Sequence, residues 1–495
     1  MASASSKGLV ASIGERHLSG RTGRPLLLGI LALGAANFLW QFGSSSLFID
    51  EVLSWRAAVL ALHALYENVR GGEISPPGYY FLLHEWMYHT GSQQEWVMRL
   101  PSVLAGIALV AAIYWLVTLV ADRATALLAA LGAALSPLVL GFAQESRAYI
   151  FAVLLVTVSV AALLEGRRRP AGRARTLWLV AAGAGAIAGF WMHYTADLVL
   201  APVLVWFAWR PGASARGRIL LLAVCAAADA ILAPLLIYQL GQGHEAGIAA
   251  SATLTFPHVT AVIGAPFAGR LATVVGWVAI GEAVVLIAVL AGVLRALRRD
   301  GHALLSWAIL PAAVIPIVVL LAVTIFSSAP VLLTRYAAVA APFMLILIAF
   351  AIVHEHRAIA LPLAAAALIA CVGETALTHS RSGFYPDTRA GLVRIERGLK
   401  PSDFIFVAGY PALPATLDYY LRRDEIGLPI VYPYQVALVL PAVIRAHRRI
   451  WFFSSGENLS VAVVQHALAS LGYRASQLDH YPGSPPLSLV LAVPR

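Results

Sequence analysis

Two adjacent carboxylates, Asp50 and Glu51, follow the first long apolar run of the sequence, in the stretch SLFIDEVLSWR over residues 46–56. A carboxylate at this place can act as a general base that accepts the proton of an attacking hydroxyl group, and Asp50 is the first candidate for that role. Glu51 is the second candidate, and its oxygens are also of the type that hold a divalent metal ion. Because acidic side chains at the start of a helix interact favourably with the helix dipole, a purely capping role for the pair is the alternative.

Four further groups of polar and aromatic residues occur at the ends of apolar runs, and all are predicted on the same side of a membrane. They comprise Ser75, Tyr80 and His84; Glu145, Arg147 and Tyr149; His193 and Tyr194; and Arg335 and Tyr336. Polar groups retained at a membrane face are costly and usually have a role. The chemistry that suits the whole set is displacement at a sugar carbon, with a lipid phosphate as the leaving group.

Within these groups, Arg147 and Arg335 are predicted to bind the donor phosphate, because arginine binds phosphate through paired hydrogen bonds. Tyr149 and Tyr336 are assigned to the same phosphate site. The predicted substrate pocket contains Tyr80, His84, Glu145, His193 and Tyr194, and Glu145 is the other candidate metal ligand. For the arginines and tyrosines, the alternative is an ordinary anchoring role in the headgroup region of the bilayer.

The composition excludes a soluble globular protein, since 60% of the 495 residues are hydrophobic and only 12% are charged. Runs of about 20 apolar residues predict membrane-spanning helices, and the sequence contains about eleven of them. The predicted spans lie near 25–42, 99–121, 124–141, 148–165, 177–192, 196–209, 219–240, 271–293, 304–326, 336–353 and 358–376. The fold class expected is therefore an α-helical polytopic membrane protein.

The net charge of +10 reflects membrane topology and does not predict a nucleic-acid partner. Outside the C-terminal tail, lysine and arginine are concentrated in the segments predicted on the same side of the membrane as the N-terminus. By the positive-inside rule, the N-terminus is predicted in the cytoplasm and the C-terminal tail on the extracytoplasmic side of the inner (plasma) membrane. Cys225 and Cys371 fall towards opposite ends of predicted spans, so no disulfide between them is expected.

Three domains are predicted: a cytoplasmic tail over 1–24, a membrane domain over 25–376 and a soluble domain over 377–495. The outer loop 43–98 of the membrane domain is expected to form juxtamembrane helices. In the soluble domain, FIFVAGY, PIVYPY, IWFFSS and LSLVLAVP are typical of short strands, and VAVVQHALASLGYRA over 461–475 is typical of a helix. Alternation of strands and helices predicts a small extracytoplasmic α/β domain, interpreted as a lid or docking domain.

Several stretches appear in the order found in a known family and together carry a resemblance. They are the acidic pair of IDEVLSWR, SPPGYYFLLH from Ser75, EWVMRLPSVLAG over 95–106, SPLVLGFAQESRAY over 136–149, WMHY over 191–194 and RYAAVAAP over 335–342. The chain, over roughly residues 25–350, resembles the GT-C membrane glycosyltransferases. The specific resemblance is to the bacterial branch of the dolichyl-phosphate-mannose–protein mannosyltransferases and the related aminoarabinose transferases.

This resemblance implies a GT-C-like fold, a polyprenyl-phosphate sugar donor and inversion at the anomeric carbon, with Asp50 and Glu51 as the catalytic acidic pair. One position departs from the family pattern, because Ser75 stands where members commonly have a histidine before two prolines. Any donor or metal role of that histidine is therefore not carried over to this chain. The cofactor stays open, with a divalent metal ion held by Glu51 or Glu145 as the candidate.

The function predicted is a hexosyl- or pentosyltransferase that moves a sugar to a hydroxyl of a protein, lipid or glycan acceptor at the bilayer surface. The alternative is a transporter or flippase of a lipid-linked substrate, which would use Asp229 and Glu282 near the middle of their spans. The third hypothesis is a non-catalytic scaffold whose C-terminal tail recruits partners. The polar groups cluster at one membrane surface, and this favours the enzyme.

Overall fold

The computed structural model describes most of the chain. The described residues are 20–72, 74–209, 215–242, 254–267, 276–300, 305–327, 331–379, 387–400, 402–408, 416, 419–420, 430–431, 442, 444–446, 448–455, 461–481 and 487–495. Of the predicted cytoplasmic tail 1–24, residues 1–19 lie outside this set. The chain divides into two compact units. The first unit contains Met1–Trp40, Ala61–Trp86 and Arg99–Ala376, and the second contains Gln41–Leu60, Met87–Met98 and Leu377–Arg495.

The described part of residues 20–379 is built from helices, most of which coincide with the predicted apolar runs. In chain order these are α1 (Gly20–Leu39), α2 (Ile49–Ala58), α3 (Leu62–Gly71), α4 (Gly78–Thr90), α5 (Glu95–Thr118), α6 (Arg123–Leu135), α7 (Pro137–Ala143), α8 (Tyr149–Arg168), α9 (Arg173–Met192), α10 (Asp197–Trp209), α11 (Ala215–Gly241), α12 (Phe256–Gly264), α13 (Gly276–Asp300), α14 (Leu310–Phe326), α15 (Thr334–Ala337), α16 (Ala341–His354) and α17 (Arg357–His379). Short 3₁₀ turns occupy Tyr194–Ala196 and Ala338–Ala340, and a π turn occupies Leu305–Ile309.

Six helices of the described residues are long and apolar enough to cross a membrane, or seven if the bent pair α6 and α7 is one span. Shorter apolar helices occupy Gly23–Leu39, Tyr194–Ala208, Cys225–Gly241 and Ala283–Arg295, which coincide with four other predicted spans. A multi-span helical membrane protein is thus confirmed. The count of about eleven spans stays a prediction.

The predicted span 124–141 is two helices, bent by 56° at Ser136. Pro137 has no N–H to donate and pushes the residue before it into an extended conformation, which Ser136 adopts with φ −63° and ψ 122°. The Ser136 hydroxyl then accepts a hydrogen bond from the amide of Val139 and so caps α7. This break directs the chain into the turn that precedes α8.

Burial differs strongly among the membrane helices. In the spanning window of α8, 72% of the residues are buried, and in Thr334–His354 the share is 78%, against 22% in α17. The central helices approach their neighbours through small residues, as is common where lipid supplies no hydrophobic driving force. Gly185 of α9 faces Ser159 of α8, whose hydroxyl donates to the carbonyl of Ala182 at 2.6 Å. The residues at the start of α8 are therefore held on a well-packed helix.

The second unit contains a five-stranded mixed sheet and supporting helices. Its elements are α18 (Thr388–Gly398), β1 (Phe404–Ala408), β2 (Ile430–Val431), β3 (Ile450–Ser455), α19 (Val461–Ser470), β4 (Tyr473–Tyr481) and β5 (Leu487–Pro494). The strand order is β2-β1-β3-β5-β4. β1 pairs in parallel with β2 and β3, whereas β5 is antiparallel to β3 and β4. Small apolar clusters cover both faces of the sheet, one built around Phe453 and Ile395 and the other around Phe452 and Leu468.

Strands are present in all four runs predicted as strands, although residues 409–410, 429 and 432–434 of those runs lie outside the described set. The helix predicted over 461–475 is wrong at its end, because α19 stops at Ser470 and Tyr473 begins β4. Gly472 has φ +83°, a conformation that glycine adopts readily and that reverses the chain after a helix. The turn at Gly472 therefore separates a helix from a strand where the sequence pattern suggested one element.

Candidate functional site

The predicted acidic pair lies in the first turn of α2, within the second unit. The Glu51 side chain is 1% exposed, and its Oε2 accepts a hydrogen bond from the amide of Phe48 at 3.1 Å. Glu51 therefore caps the helix, which is the role that sequence analysis offered as the alternative. Asp50 is half-buried, and its backbone carbonyl accepts a hydrogen bond from the Ser54 hydroxyl at 2.9 Å.

Three aromatic side chains from separate parts of the first unit form a continuous row. Tyr149 is the first residue of α8, His193 directly follows α9, and Tyr336 lies in α15. The ring centroids of Tyr149 and His193 are 5.3 Å apart, and those of His193 and Tyr336 are 5.7 Å apart. Both separations are typical of aromatic side chains in contact. We call these three residues the aromatic row.

An arginine lies at each end of the aromatic row. The Arg147 guanidinium donates to the hydroxyl of Tyr149 at 3.3 Å, and its carbon lies 5.5 Å from the centroid of that ring. At the other end, the guanidinium carbon of Arg335 lies 5.4 Å from the centroid of the Tyr336 ring. Arg147 is 5% exposed and immediately precedes α8, whereas Arg335 is half-buried. The structure thus brings together, in one connected group, all four predicted phosphate-site residues and His193.

The imidazole of His193 has a defined hydrogen-bonding direction. Its Nδ1 accepts a hydrogen bond from the backbone amide of Thr195 at 3.3 Å and lies 2.8 Å from the hydroxyl of the same residue. Because a backbone N–H can only donate, Nδ1 is an acceptor and the proton of the neutral ring resides on Nε2. The ring therefore presents an N–H donor on the side opposite Thr195.

The start of α4 is packed closely against the end of α9. A Cβ atom at Gly78 would collide with the carbonyl oxygen of Trp191, so only glycine permits this approach. Next along the chain, the buried hydroxyl of Tyr79 lies 2.8 Å from the Ser146 hydroxyl, in the turn that carries Arg147. The sequence pattern did not predict the contact between Tyr79 and Ser146, although a glycine between two prolines and two tyrosines is a signal for close backbone contact.

Gln239 is a further residue whose contacts the sequence pattern did not predict. Its side chain is fully buried, and its Nε2 donates to the backbone carbonyls of Val69 at 3.0 Å and Ser75 at 2.9 Å. Its Oε1 accepts the hydroxyl hydrogen of Tyr194 at 3.0 Å. The amide of Gln239 thus joins the turn before α4 to the residue that follows His193. Tyr194, predicted in the substrate pocket, makes this structural contact.

The other predicted pocket residues, Tyr80, His84 and Glu145, are buried or half-buried in the first unit. Tyr80 is 4% exposed, with its ring 6.0 Å from that of Tyr79, and His84 and Glu145 are half-buried. Asp229 is half-buried on α11. The side chain of Glu282 lies outside the described residues.

The candidate metal ligands Glu51 and Glu145 lie in different units. Among the described residues, no three histidine, cysteine, aspartate or glutamate side chains are grouped as a metal site requires. Glu51 already uses one carboxylate oxygen to cap α2. Use of a divalent metal ion held by Glu51 or Glu145 stays a prediction.

Comparisons with known proteins agree with the resemblance seen in the sequence. The family model described as dolichyl-phosphate-mannose-protein mannosyltransferase matches residues 75–238. No curated protein matched the sequence.

Among solved structures, ArnT from Cupriavidus metallidurans bound to undecaprenyl phosphate matches with a TM-score of 0.54 and 12% identity, covering 94% of this chain and 97% of that one. The apo oligosaccharyltransferase of Archaeoglobus fulgidus matches with a TM-score of 0.52 and 12% identity, covering 89% of this chain and 70% of that one. Archaeal AglB from the same organism, in complex with an inhibitory peptide and a dolichol-phosphate, matches with a TM-score of 0.50 and 12% identity, covering 88% and 69%. The resemblance to the GT-C membrane glycosyltransferases is confirmed, and the chain has their fold.

Proposed function

We propose that this protein is a membrane glycosyltransferase that moves a sugar from a polyprenyl-phosphate donor to an acceptor hydroxyl. The observation that carries the proposal is the aromatic row with an arginine at each end, Arg147 on one side and Arg335 on the other. The family match over residues 75–238 and the solved structures of this fold with bound polyprenyl phosphates support the same substrate class.

Arg147 is our candidate for the main phosphate-binding residue. It is buried and lies beside the N-terminus of the 20-residue helix α8. The unsatisfied amides at a helix N-terminus carry a partial positive charge that favours anions. A buried guanidinium adds a full charge and a planar fork of donors that matches two phosphate oxygens. The combination favours a phosphate monoester or diester over a neutral ligand.

The aromatic row suits the rest of a lipid-linked sugar. Tyrosine and histidine rings present apolar faces that pack on the sugar ring or the first isoprene unit, and polar tips that form hydrogen bonds. The Nε2–H group of His193 is a donor for an oxygen of the leaving phosphate. Arg147 and Arg335 supply the positive charge at this site.

In the reaction that we propose, the acceptor oxygen attacks the anomeric carbon while Asp50 accepts the hydroxyl proton. The bond between that carbon and the phosphate oxygen breaks, and the polyprenyl phosphate leaves with one additional negative charge. Attack opposite the leaving group inverts the anomeric configuration. The arginines stabilise the charge that grows on the phosphate, which is the type of electrostatic stabilisation that lowers barriers most. Glu51, by capping α2, holds the turn that carries Asp50.

Topology follows from the distribution of basic residues. We assign the N-terminus to the cytoplasm and residues 377–495 to a soluble domain on the extracytoplasmic side of the inner membrane. On this assignment, the donor sugar is used outside the cytoplasm. If a divalent metal ion takes part, Glu51 or Glu145 would hold it, and it would supply positive charge for the donor phosphate. The donor carries a hexosyl or pentosyl group, and the acceptor is a hydroxyl of a protein, a lipid or a glycan.

The deciding experiment is sugar transfer by purified protein in detergent or nanodiscs, with a panel of radiolabelled polyprenyl-phosphate sugars and a membrane extract as acceptor. We expect transfer from at least one donor, and Asp50→Asn should abolish it while donor binding persists. Asp479→Asn is the matched control, because it makes the same substitution at a half-exposed carboxylate paired with Arg394 at 3.5 Å.

Two other outcomes are informative. Full activity of Asp50→Asn would keep the enzyme but move the base to Glu51 or Glu145. Absence of transfer from every donor by folded wild-type protein would contradict the proposal, and Asp229 would then become the first residue to test in a transport assay.

A further inference from the structure

The segment immediately before α2 is held by side chains from the C-terminal region of the second unit. The amide of Leu47 donates to the hydroxyl of Tyr420 at 2.7 Å, and that hydroxyl in turn donates to the carboxylate of Glu95. The other oxygen of Glu95 lies 2.5 Å from the Arg389 guanidinium, which also donates to the carbonyl of Ser44 at 3.4 Å. We call Glu95, Arg389 and Tyr420 the polar triad.

The carboxylate of the polar triad is buried, whereas Arg389 is partly exposed and Tyr420 is half-buried. Glu95 is 9% exposed and Leu47 is 1% exposed. Burial and the neighbouring Glu95 carboxylate raise the pKa of Tyr420 well above its usual range, so its hydroxyl keeps the proton that it donates. A buried carboxylate that is satisfied by both a guanidinium and a phenol resists rearrangement, since loss of either partner leaves a charge poorly compensated.

The ring of Tyr420 connects the triad to the sheet. It packs against the apolar cluster that contains Ile395, Trp451 and Phe453, between α18 and the strands. One side chain therefore has its ring in the core of the C-terminal domain and its hydroxyl on the backbone of Leu47. A movement of that core is transmitted directly to the residue that lies three positions before Asp50.

Further contacts hold α2 within the second unit. On the N-terminal side, the amide of Thr388 donates to the buried hydroxyl of Ser46 at 3.2 Å. Near the other end of the helix, the indole N–H of Trp55 donates to the side chain of Gln93 at 2.9 Å, and the Trp55 ring lies 5.1 Å from that of Tyr419. The Tyr419 hydroxyl donates to the carbonyl of Gln93 at 2.8 Å. The ten-residue helix α2 is thus held before its first turn and again in its last.

We infer that Tyr420 is a positioning residue for Asp50, and that the C-terminal domain, through the polar triad, sets the place of the base. This inference rests on the proposed function for its catalytic part, because it assumes that the Asp50 carboxylate accepts the proton. It assigns the C-terminal domain a role different from the lid or docking role that its sequence suggests. A base must be held accurately, since a misplacement of about 1 Å can reduce the rate about 100-fold.

The test is Tyr420→Phe, which keeps the ring in the sheet core and removes only the hydroxyl. We expect kcat to fall by about 10-fold or more, with KM for the donor changed by less than about twofold, because the base loses its position and the donor site is untouched. Amide hydrogen exchange, which does not depend on activity, should accelerate by about 10-fold at Leu47 and in the first turn of α2, while β1, β3 and β5 keep their protection.

The matched control is Tyr473→Phe. Tyr473 is a buried tyrosine, and its hydroxyl donates to the carbonyl of Arg448 at 3.0 Å within the C-terminal domain. Tyr473→Phe should leave both kcat and the amide hydrogen exchange of residues 47–52 at wild-type values. A second variant, Glu95→Gln, keeps an acceptor for Tyr420 but removes the charge that pairs with Arg389, and should show a weaker form of the same pattern.

Unchanged kcat and unchanged exchange at Leu47 in Tyr420→Phe would overturn the inference. So would equal effects of Tyr420→Phe and Tyr473→Phe, because these would indicate general loosening of the domain. If wild-type protein transfers no sugar at all, the proposed function fails, and exchange at Leu47 still decides whether the polar triad holds this segment.

Discussion

The ring centroids of Tyr149 and His193 lie 5.3 Å apart, although one residue begins α8 and the other follows the end of α9. α8 and α9 are consecutive antiparallel helices, so the start of one and the end of the next meet at the same end of the bundle. Tyr336 joins them from the short helix α15, far along the chain. Polar groups that are separately placed at helix ends are in this way gathered into one site, and each of them can be tested independently.

Arg147→Lys should weaken the binding of a polyprenyl phosphate by about 10-fold, equivalent to about 1.4 kcal/mol. Lysine keeps the positive charge but lacks the fork of donors that binds two phosphate oxygens at once. The measurement is the Kd of a short-chain polyprenyl phosphate in nanodiscs. Arg335→Lys is the comparison variant and should lose less, because Arg335 is half-buried and Arg147 is buried. A larger loss in Arg335→Lys than in Arg147→Lys would reverse the assignment of the main phosphate residue.

His193→Phe should lower kcat/KM by about 10-fold or more, as expected when one donor to developing charge is removed. Phenylalanine keeps a ring between Tyr149 and Tyr336 but has no N–H for the leaving phosphate. The kinetics should be compared with those of His193→Asn, which preserves an acceptor for the Thr195 amide and removes the ring. If His193→Phe were as active as wild type, the ring contacts alone would explain the role of this residue.

The sequence predicted the members of the aromatic row but not the contacts that organise it. Tyr149, His193 and Tyr336 each stand at the end of an apolar run, where a polar residue is conspicuous. Gln239 also stands near such an end, yet its three partners, Val69, Ser75 and Tyr194, are distant in the chain and give no periodic signal. Long-range side-chain pairing is decided by packing, which local patterns do not encode.

The same limit applies to the second unit. The sequence predicts the loop 43–98 and the C-terminal tail as separate regions, whereas Tyr420 forms hydrogen bonds with Leu47 and Glu95. The strand β4 was missed because YRASQLDHY is polar and lies at the edge of the sheet, where few of its side chains are buried. Alternating apolar residues predict strands that have a buried face, and an edge strand of this composition lacks that pattern.

Gln239→Leu should destabilise the membrane unit by about 2–4 kcal/mol, because two backbone carbonyls and one tyrosine hydroxyl lose their buried partner. The apolar replacement has a similar volume, so the effect reports polar groups and not a cavity. Thermal unfolding in detergent, followed by tryptophan fluorescence, should show the lower transition temperature. The donor KM should rise as well, since Gln239 holds Tyr194 and the turn before α4.

Gln465→Leu is the control for that variant. Gln465 donates a single hydrogen bond, at 3.3 Å, to the carbonyl of Ala475 in the C-terminal domain. Its replacement should cost less than about 1 kcal/mol, the usual net contribution of one such bond. Equal destabilisation by the two substitutions would show that the three hydrogen bonds of Gln239 contribute no more to stability than the single bond of Gln465.

Asp403→Asn should destabilise the C-terminal domain by about 2–3 kcal/mol at neutral pH, since it removes one partner of a buried ion pair. The buried Asp403 carboxylate accepts hydrogen bonds from the Arg449 guanidinium at 2.9 Å and from the Trp451 indole at 2.8 Å. Burial alone would raise the pKa of Asp403, but the bonds from Arg449 and Trp451 and from the Lys400 amide outweigh it and lower the pKa below its ordinary value of 3.8. The folded state therefore favours the ionised carboxylate.

The sign of the pH dependence follows from that lowered pKa. The carboxylate contributes its full stabilisation above the ordinary pKa of 3.8, and the contribution is lost as the pH falls through the lower pKa of the folded state. The stability difference between wild type and Asp403→Asn should thus be constant from pH 8 to about pH 5 and shrink below about pH 4. Protection factors of the β1 and β3 amides, compared between the two proteins at each pH, measure this stability difference.

Asp479→Asn is the control, because Asp479 forms a half-exposed ion pair with Arg394. This substitution should change the free energy of unfolding by less than about 0.5 kcal/mol at any pH, because exposed ion pairs contribute little. A difference between wild type and Asp403→Asn that instead grew on acidification would mean that folding raises the pKa of Asp403 above its ordinary value of 3.8.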